Sequence, residues 1–258
     1  MLTLPMFTLV VRGLRKSYGG VNAVDGIDFD LAPGEIAALI GPNGAGKSTC
    51  FNLLNGQIAP DAGSIKLFGR ELVGLKPRRI WRLGVGRTFQ ITATFGSMSV
   101  AENVQMALIS LHRRLRAAWP FAGSLYREEA LDLLDLVGMR EQAERPCGVL
   151  AYGDLRRAEL AVALANAPRL LLMDEPTAGM DPHERSRQMQ LVADIVRSRG
   201  ISVLFTEHDM DVVFGHADRV MVLCRGEMIA QGTPAQVRAD RAVQEVYLGS
   251  AATAGGAT

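Results

Sequence analysis

The residues best suited to chemistry are Gly41-Pro42-Asn43-Gly44-Ala45-Gly46-Lys47-Ser48-Thr49, which match the pattern G-x-x-x-x-G-K-[ST]. Glycines at this spacing let backbone N–H groups close on phosphate oxygens with no Cβ in the way. A helix starting at Ser48 adds partial positive charge at its N-terminus. Lys47 can reach the terminal phosphates of a nucleoside triphosphate, and the Ser48 hydroxyl can ligate Mg²⁺. A glycine-rich turn with a chance lysine is the competing reading. The apolar run before the loop and the helical pattern after it disfavour that reading. A second candidate is Asp174-Glu175, which closes the apolar run Leu170-Leu171-Leu172-Met173. In an open α/β sheet, ligands bind beyond the carboxyl ends of the strands. Asp174 can hold the metal there, directly or through water. Glu175 points the other way along an extended chain and can orient and deprotonate a water.

These side chains need strands and helices to position them. Strands are predicted over 7–12, 27–31 and 35–40, the last bounded by Gly41 and apolar enough to be covered on both faces. A helix is predicted over 48–55, a turn at Pro60-Asp61-Ala62-Gly63, a strand over 64–68, a short basic helix over 76–83 and a strand over 85–90. From 99 to 145 the pattern is helical. Ser99-Val100-Ala101-Glu102 is a capping box with Ser99 as the N-cap, and a second helix over 125–137 ends at Gly138. The alternation then resumes with a helix over 155–167, a strand over 170–173, a helix over 182–199, and strands over 202–206 and 220–224. Buried strands alternating with helices predict a mostly parallel sheet, with the middle block as an inserted helical subdomain. Residues 250–258 are small and glycine-rich, and a disordered tail is expected there.

Composition narrows the function classes. The 258 residues include 28 Lys+Arg against 27 Asp+Glu, and 48% are hydrophobic. Such a chain can bury a large core and exerts no general pull on nucleic acid. Cys50, Cys147 and Cys224 are far apart, which excludes a sequence-evident disulfide framework or zinc ribbon and suits a reducing compartment. No apolar run approaches the roughly 18 residues of a membrane helix, so a membrane role must come through a partner. The opening residues do not read as a signal peptide, and a cytoplasmic protein is expected. Two basic runs, Arg78/Arg79/Arg82 and His112/Arg113/Arg114/Arg116, are either solvated helix faces or a face near an anionic leaflet.

Five further features stand in order around the two phosphate motifs, and with them the chain resembles the ATP-binding subunit of an ABC transporter over residues 7–249. Tyr18, in Lys16-Ser17-Tyr18-Gly19, matches the aromatic that stacks on adenine. Gln90, in Arg87-Thr88-Phe89-Gln90, matches the glutamine that senses Mg²⁺ and the γ-phosphate. Ala151-Tyr152-Gly153-Asp154 stands where the family signature loop belongs, Ala178-Gly179-Met180-Asp181 matches a loop that crosses a dimer interface, and His208 matches the switch histidine. Taken singly, Tyr18, Gln90 or His208 would be an ordinary strand aromatic, surface amide or strand-end histidine; order and spacing carry the inference. The signature departs from Leu-Ser-Gly-Gly-Gln, with Ala151 in place of serine, Tyr152 in place of the first glycine and Asp154 in place of glutamine. Together with Gly86-Arg87-Thr88-Phe89-Gln90, Glu207-His208-Asp209-Met210 and Val246-Tyr247-Leu248-Gly249, this variant is similar to the ATPases of branched-chain amino-acid importers.

The resemblance implies an α/β P-loop NTPase fold. It has a RecA-like core with an N-terminal antiparallel β subdomain (7–90 and 155–249) and an inserted α-helical subdomain carrying the signature loop (91–154). It implies ATP and Mg²⁺ as cofactors, with the metal held by Ser48, Gln90 and Asp174. Nucleotide contacts fall to Tyr18, Gly41 through Thr49, Ala151, Tyr152, Gly153, Asp154 and Asp181. Glu175 activates water, while His208 orients the γ-phosphate and the water. Two ATPase chains, identical or different, form a head-to-tail sandwich that closes on ATP and reopens on hydrolysis. The implied partners are transmembrane permease subunits and, indirectly, an extracytoplasmic solute-binding protein, with no nucleic acid. The implied location is peripheral, on the inner face of the cell membrane. Phe95 and Met98 are the candidates for the permease contact. The alternatives are the ATPase of a urea or amide importer, that of a lipopolysaccharide exporter, a soluble non-transport ABC ATPase, and a module that binds nucleotide without hydrolysing it. Intact Lys47, Asp174, Glu175 and His208 argue against the last.

Overall fold

The computed structural model describes residues 7–88, 94–112 and 124–246. In chain order the elements are β1 (Leu9–Tyr18), β2 (Val21–Leu31), β3 (Ile36–Ile40), α1 (Lys47–Leu54), β4 (Ala62–Leu67), β5 (Arg70–Glu71), α2 (Pro77–Arg82), β6 (Val85–Thr88) and α3 (Val100–Leu111). They continue with α4 (Arg127–Leu136), α5 (Tyr152–Leu164), β7 (Leu170–Asp174), α6 (Pro182–Arg199), β8 (Ser202–Thr206), α7 (Met210–His216), β9 (Arg219–Cys224), β10 (Glu227–Gly232) and α8 (Pro234–Ala239).

The central strands are apolar throughout because both of their faces are covered. In β3, Ala37 and Leu39 join one core cluster while Ile36, Ala38 and Ile40 join the other. β7 divides the same way, Leu170 and Leu172 against Leu171 and Met173. These strands belong to a six-stranded sheet of order β10-β9-β3-β8-β7-β6. Its pairs are parallel except at the β10 edge. One face packs on α3 to α6, and the other packs on α1 and on a four-stranded antiparallel sheet of order β2-β1-β4-β5. The expected α/β architecture and antiparallel β layer are therefore present. Ser99 caps α3 through a full capping box, as its sequence predicts. Helix α5 contacts α3, α4, α6 and β6, and so joins the helical block to the sheet.

Several bounds differ from expectation, each for a physical reason. β1 and β2 run past 7–12 and 27–31 because they meet in a hairpin through Gly19-Gly20, with Tyr18 opposite Val21. The outer half of that hairpin is solvated and lacks alternation. It is held by backbone pairing and by the Arg15–Asp25 and Lys16–Asp61 ion pairs. Helix α5 starts at Tyr152 rather than 155, because its N-cap, Ala151, offers no side-chain oxygen to mark the start. The edge strand β10 and the short helices α7 and α8 lacked a strong enough periodic signal to be predicted. The predicted tail over 250–258 lies outside the described residues, as do Arg113, Arg114 and Arg116 of the second basic run.

Phe205 is fully buried in β8, beside the strand ends that carry the site. Phe205→Ala should lower the unfolding free energy by about 3–5 kcal/mol, read as a fall in the urea midpoint at unchanged slope.

Candidate active site

The loop between β3 and α1 owes its shape to two close approaches. A Cβ on Gly41, at φ 153°, would lie 2.1 Å from the Leu223 carbonyl oxygen. A Cβ on Gly46, at φ 106°, would lie 2.1 Å from the Ala23 carbonyl oxygen. Only glycine fits at either position, so the loop is pinned between β9 and the β1–β2 hairpin. Lys47 is 8% exposed and donates from Nζ to the carbonyls of Gly41 (2.6 Å) and Pro42 (3.1 Å). Burial pushes its pKa down, while Glu175 and Asp174 act in the opposite direction. The lysine thus lies within the field of both carboxylates.

Those carboxylates sit at the end of β7, and Thr206 at the end of the neighbouring β8 organises them. The Thr206 hydroxyl donates to Asp174 Oδ1 (2.7 Å) and accepts from the Glu175 N–H (3.1 Å), which also reaches the Thr206 carbonyl (3.1 Å). Glu175 adopts a left-handed backbone conformation at φ 49°, a strained state for a side-chain-bearing residue. This turns it out of the strand direction and brings Oε1 to 3.0 Å from His208 Nε2. A cavity of about 200 Å³ is lined by Asn43 through Thr49, Glu175 and His208. The structure therefore joins the phosphate loop, the acidic strand end and the histidine in one site.

Other expected site residues lie elsewhere. Tyr18 is half-exposed at the hairpin end, under Lys16, and the hairpin residue lining the cavity is Ala23. Asp181 caps α6, accepting from the Glu184 N–H at 2.9 Å; that bond, more than any other contact, holds its pKa below the usual carboxylate range. Ala151, Gly153 and Asp154 line a separate cavity of about 230 Å³ with α6 residues. Asp154 is ion-paired with Arg157. Tyr152 accepts from Arg156 Nε (3.1 Å) and Nη2 (2.5 Å), and its ring lies against Gly179. Gln90 lies outside the described residues.

Sequence reasoning missed Thr206 and Arg87. The buried Arg87 guanidinium donates from Nη1 to Asn52 Oδ1 (2.9 Å) and Gln57 Oε1 (3.3 Å), and Nη2 lies 3.6 Å from Asp174 Oδ2. It ties β6 and α1 to the acidic strand end. Its place within Gly86-Arg87-Thr88-Phe89-Gln90 was visible in the sequence, but its partners lie far along the chain.

A nucleotide-phosphate loop opening a helix, an acid pair ending a parallel strand two places along the same sheet and a facing histidine define a P-loop ATPase of the ABC class. The chain belongs to the ABC transporter family, whose pattern matches residues 24–178. Residues 227–253 match the family described as branched-chain amino acid ATP-binding cassette transporter. The chain is 41% identical to the high-affinity branched-chain amino acid transport ATP-binding protein LivG of Escherichia coli K12 over 254 residues, covering 94% of this chain and 98% of LivG. Among solved structures, the ADP conformation of the cassette MJ1267 superposes with a TM-score of 0.86 at 28% identity, covering 95% of this chain and 99% of that one. The dimeric post-hydrolysis state of MJ0796 with ADP and Pi superposes at 0.76 and 25% identity, covering 88% and 98%. The chain is thus the nucleotide-binding ATPase component of an ABC system.

Thr206→Val keeps the shape of this fully buried side chain but removes its hydroxyl. Loss of the bond to the Asp174 carboxylate should cost about 1.5–3 kcal/mol of unfolding free energy, measurable by urea titration at neutral pH.

Proposed function

We propose that this chain is the ATP-hydrolysing motor of an importer for branched-chain or other hydrophobic amino acids. It works on the inner face of the cell membrane against transmembrane permease subunits. The solute class rests on the likeness to LivG and on the family match at residues 227–253. The observation that carries the mechanism is the separation of the two half-sites. Within one chain, the phosphate loop and the signature loop line different cavities with no residue in common. A second ATPase chain packed head-to-tail brings the signature loop of one to the phosphate loop of the other.

Mg²⁺ fits this donor set. Ser48 and Asp174 offer hard oxygens, and among the described residues no three His, Cys, Asp or Glu side chains cluster as a closed metal cage. Such a site suits a cation that takes one or two protein oxygens and completes its shell with phosphate and water. Ser48, Asp174 and Gln90 would hold it, and it would neutralise charge on the β- and γ-phosphates. Lys47 binds the terminal phosphates, Glu175 accepts the proton of the attacking water, and His208 holds Glu175 and the γ-phosphate in register. Tyr18 packs on the adenine from the hairpin end. Asp181 and the signature residues act across the dimer.

The permease contact falls on an exposed apolar pair. Phe95 is 58% exposed and Val149 is 63% exposed. Their backbones are tied together by the Gly148 N–H to Gly96 carbonyl bond (2.9 Å). Asn103 fixes Phe95, accepting from its N–H at 2.7 Å and donating to its carbonyl at 3.2 Å. A rigidly held, exposed aromatic suits an anchor for a partner helix. Met98 is partly covered and supports the same segment.

Glu175→Gln should retain ATP binding, lower turnover about a hundredfold or more, and accumulate as a dimer on gel filtration with ATP. Unchanged hydrolysis would rule out the general-base assignment. Specific activity of the parent chain should rise steeply with protein concentration if it forms a homodimeric site. Activity that appears only on adding a co-purified second ATPase would show a heterodimer. Phe95→Asp should leave the isolated ATPase intact and abolish ATP-dependent leucine uptake in proteoliposomes containing the permease.

A further inference from the structure

Glu207 lies between the end of β8 and His208, and it is only 4% exposed. Its Oε1 accepts from the Thr177 N–H (2.9 Å) and the Thr177 hydroxyl (2.5 Å), and its Oε2 accepts from the His208 N–H (3.0 Å). Both carboxylate oxygens are thus engaged, Oε1 by Thr177 and Oε2 by the His208 N–H. Burying such a group is costly unless it is hydrogen-bonded, and here both oxygens are. Thr177 is 1% exposed and follows Glu175 by way of the buried Pro176, whose ring fixes φ. The contacts therefore close a circuit. Glu175 runs covalently to Thr177, Thr177 bonds to Glu207, Glu207 precedes His208, and His208 Nε2 returns to Glu175 Oε1 at 3.0 Å.

We infer that Glu207 is a positioning residue for hydrolysis, latching the turn that carries His208 to the loop behind Glu175. This rests on the reading of Glu175 and His208 as the groups that act on the water and the γ-phosphate. His208 is half-exposed and Glu175 is held in a strained backbone state. Neither loop has a covalent reason to stay in register with the other. The β7–β8 pairing holds Glu175 to Thr206, and the Glu207 carboxylate extends that register past the strand ends to His208, from the covered side, leaving the solvent side open to nucleotide. It does not touch the reacting atoms.

Glu207→Gln keeps the volume but turns one acceptor into an amide donor, which must face an N–H or O–H. We expect kcat to fall about tenfold or more while the KM for ATP stays within about twofold, since binding lies with the phosphate loop. Thr177→Val removes one hydroxyl with little change of shape and should give a smaller loss of the same kind, restored by Thr177→Ser. The double variant Glu207→Gln/Thr177→Val should lose less than the product of the two single losses, because both cut the same link. The His208 ring ¹⁵N signals should move in Glu207→Gln and Thr177→Val and not in Thr177→Ser. That readout needs no turnover, so it tests the latch even if the general-base assignment of Glu175 fails. Unmoved His208 signals, multiplicative losses, or a Thr177→Val variant in which kcat, KM and melting temperature all worsen together would overturn the proposal. If Glu207→Gln does not fold, the Thr177→Val and Thr177→Ser pair decides it by the same criteria.

Discussion

The structure depends on the two-faced burial of its central sheet. β3, β7 and β8 are covered on both sides, so no polar side chain can be accommodated along their middles without a partner. The polar groups of the site therefore gather at the carboxyl edge, where the strands end together. There the polar groups satisfy one another. Asp174 takes the Thr206 hydroxyl, Glu175 gives its N–H to Thr206, and Glu207 takes both donors of Thr177. Adjacent parallel strands in register, Asp174 opposite Thr206, make this exchange possible. The strained φ of Glu175 persists because this network over-determines it.

The same edge balances charge. Lys47 lies among carbonyls in the field of Asp174 and Glu175. Arg87 approaches Asp174 Oδ2 while gripping Asn52 of α1. The acidic strand end thus acts on two cations, Lys47 at the phosphate loop and Arg87 on β6. A displacement of Asp174 would disturb both, and through Arg87 it would reach β6, the strand that leads to Gln90.

Much of this was legible in the sequence because it is local. The loop from Gly41 to Thr49 carries its own spacing, the capping box at Ser99 spans a single turn, and apolar runs such as 170–173 announce buried strands. The outer halves of β1 and β2 were not legible, because solvated hairpins pair through their backbones and leave no alternation. Thr206, Arg87 and Glu207 were not legible as site residues either. Their partners lie about 30 or more residues away, and a buried polar residue looks the same in sequence as an exposed one. The head-to-tail arrangement was implied by the family resemblance alone; that the two loops line different cavities of one chain comes from the fold, since spacing along the chain does not say which surface a loop faces.

The altered signature loop follows different physics from a simple loss. Asp154 would repel phosphate if it stood alone at the head of α5, but Arg157 one turn on neutralises it, and both line the same cavity. Tyr152 fills the place of a glycine without blocking the helix start. Its hydroxyl is taken by Arg156, which is itself paired with Glu159 at 2.8 Å, and its ring rests on Gly179. The Tyr152 ring thereby packs the head of α5 against Gly179 of the 178–181 loop.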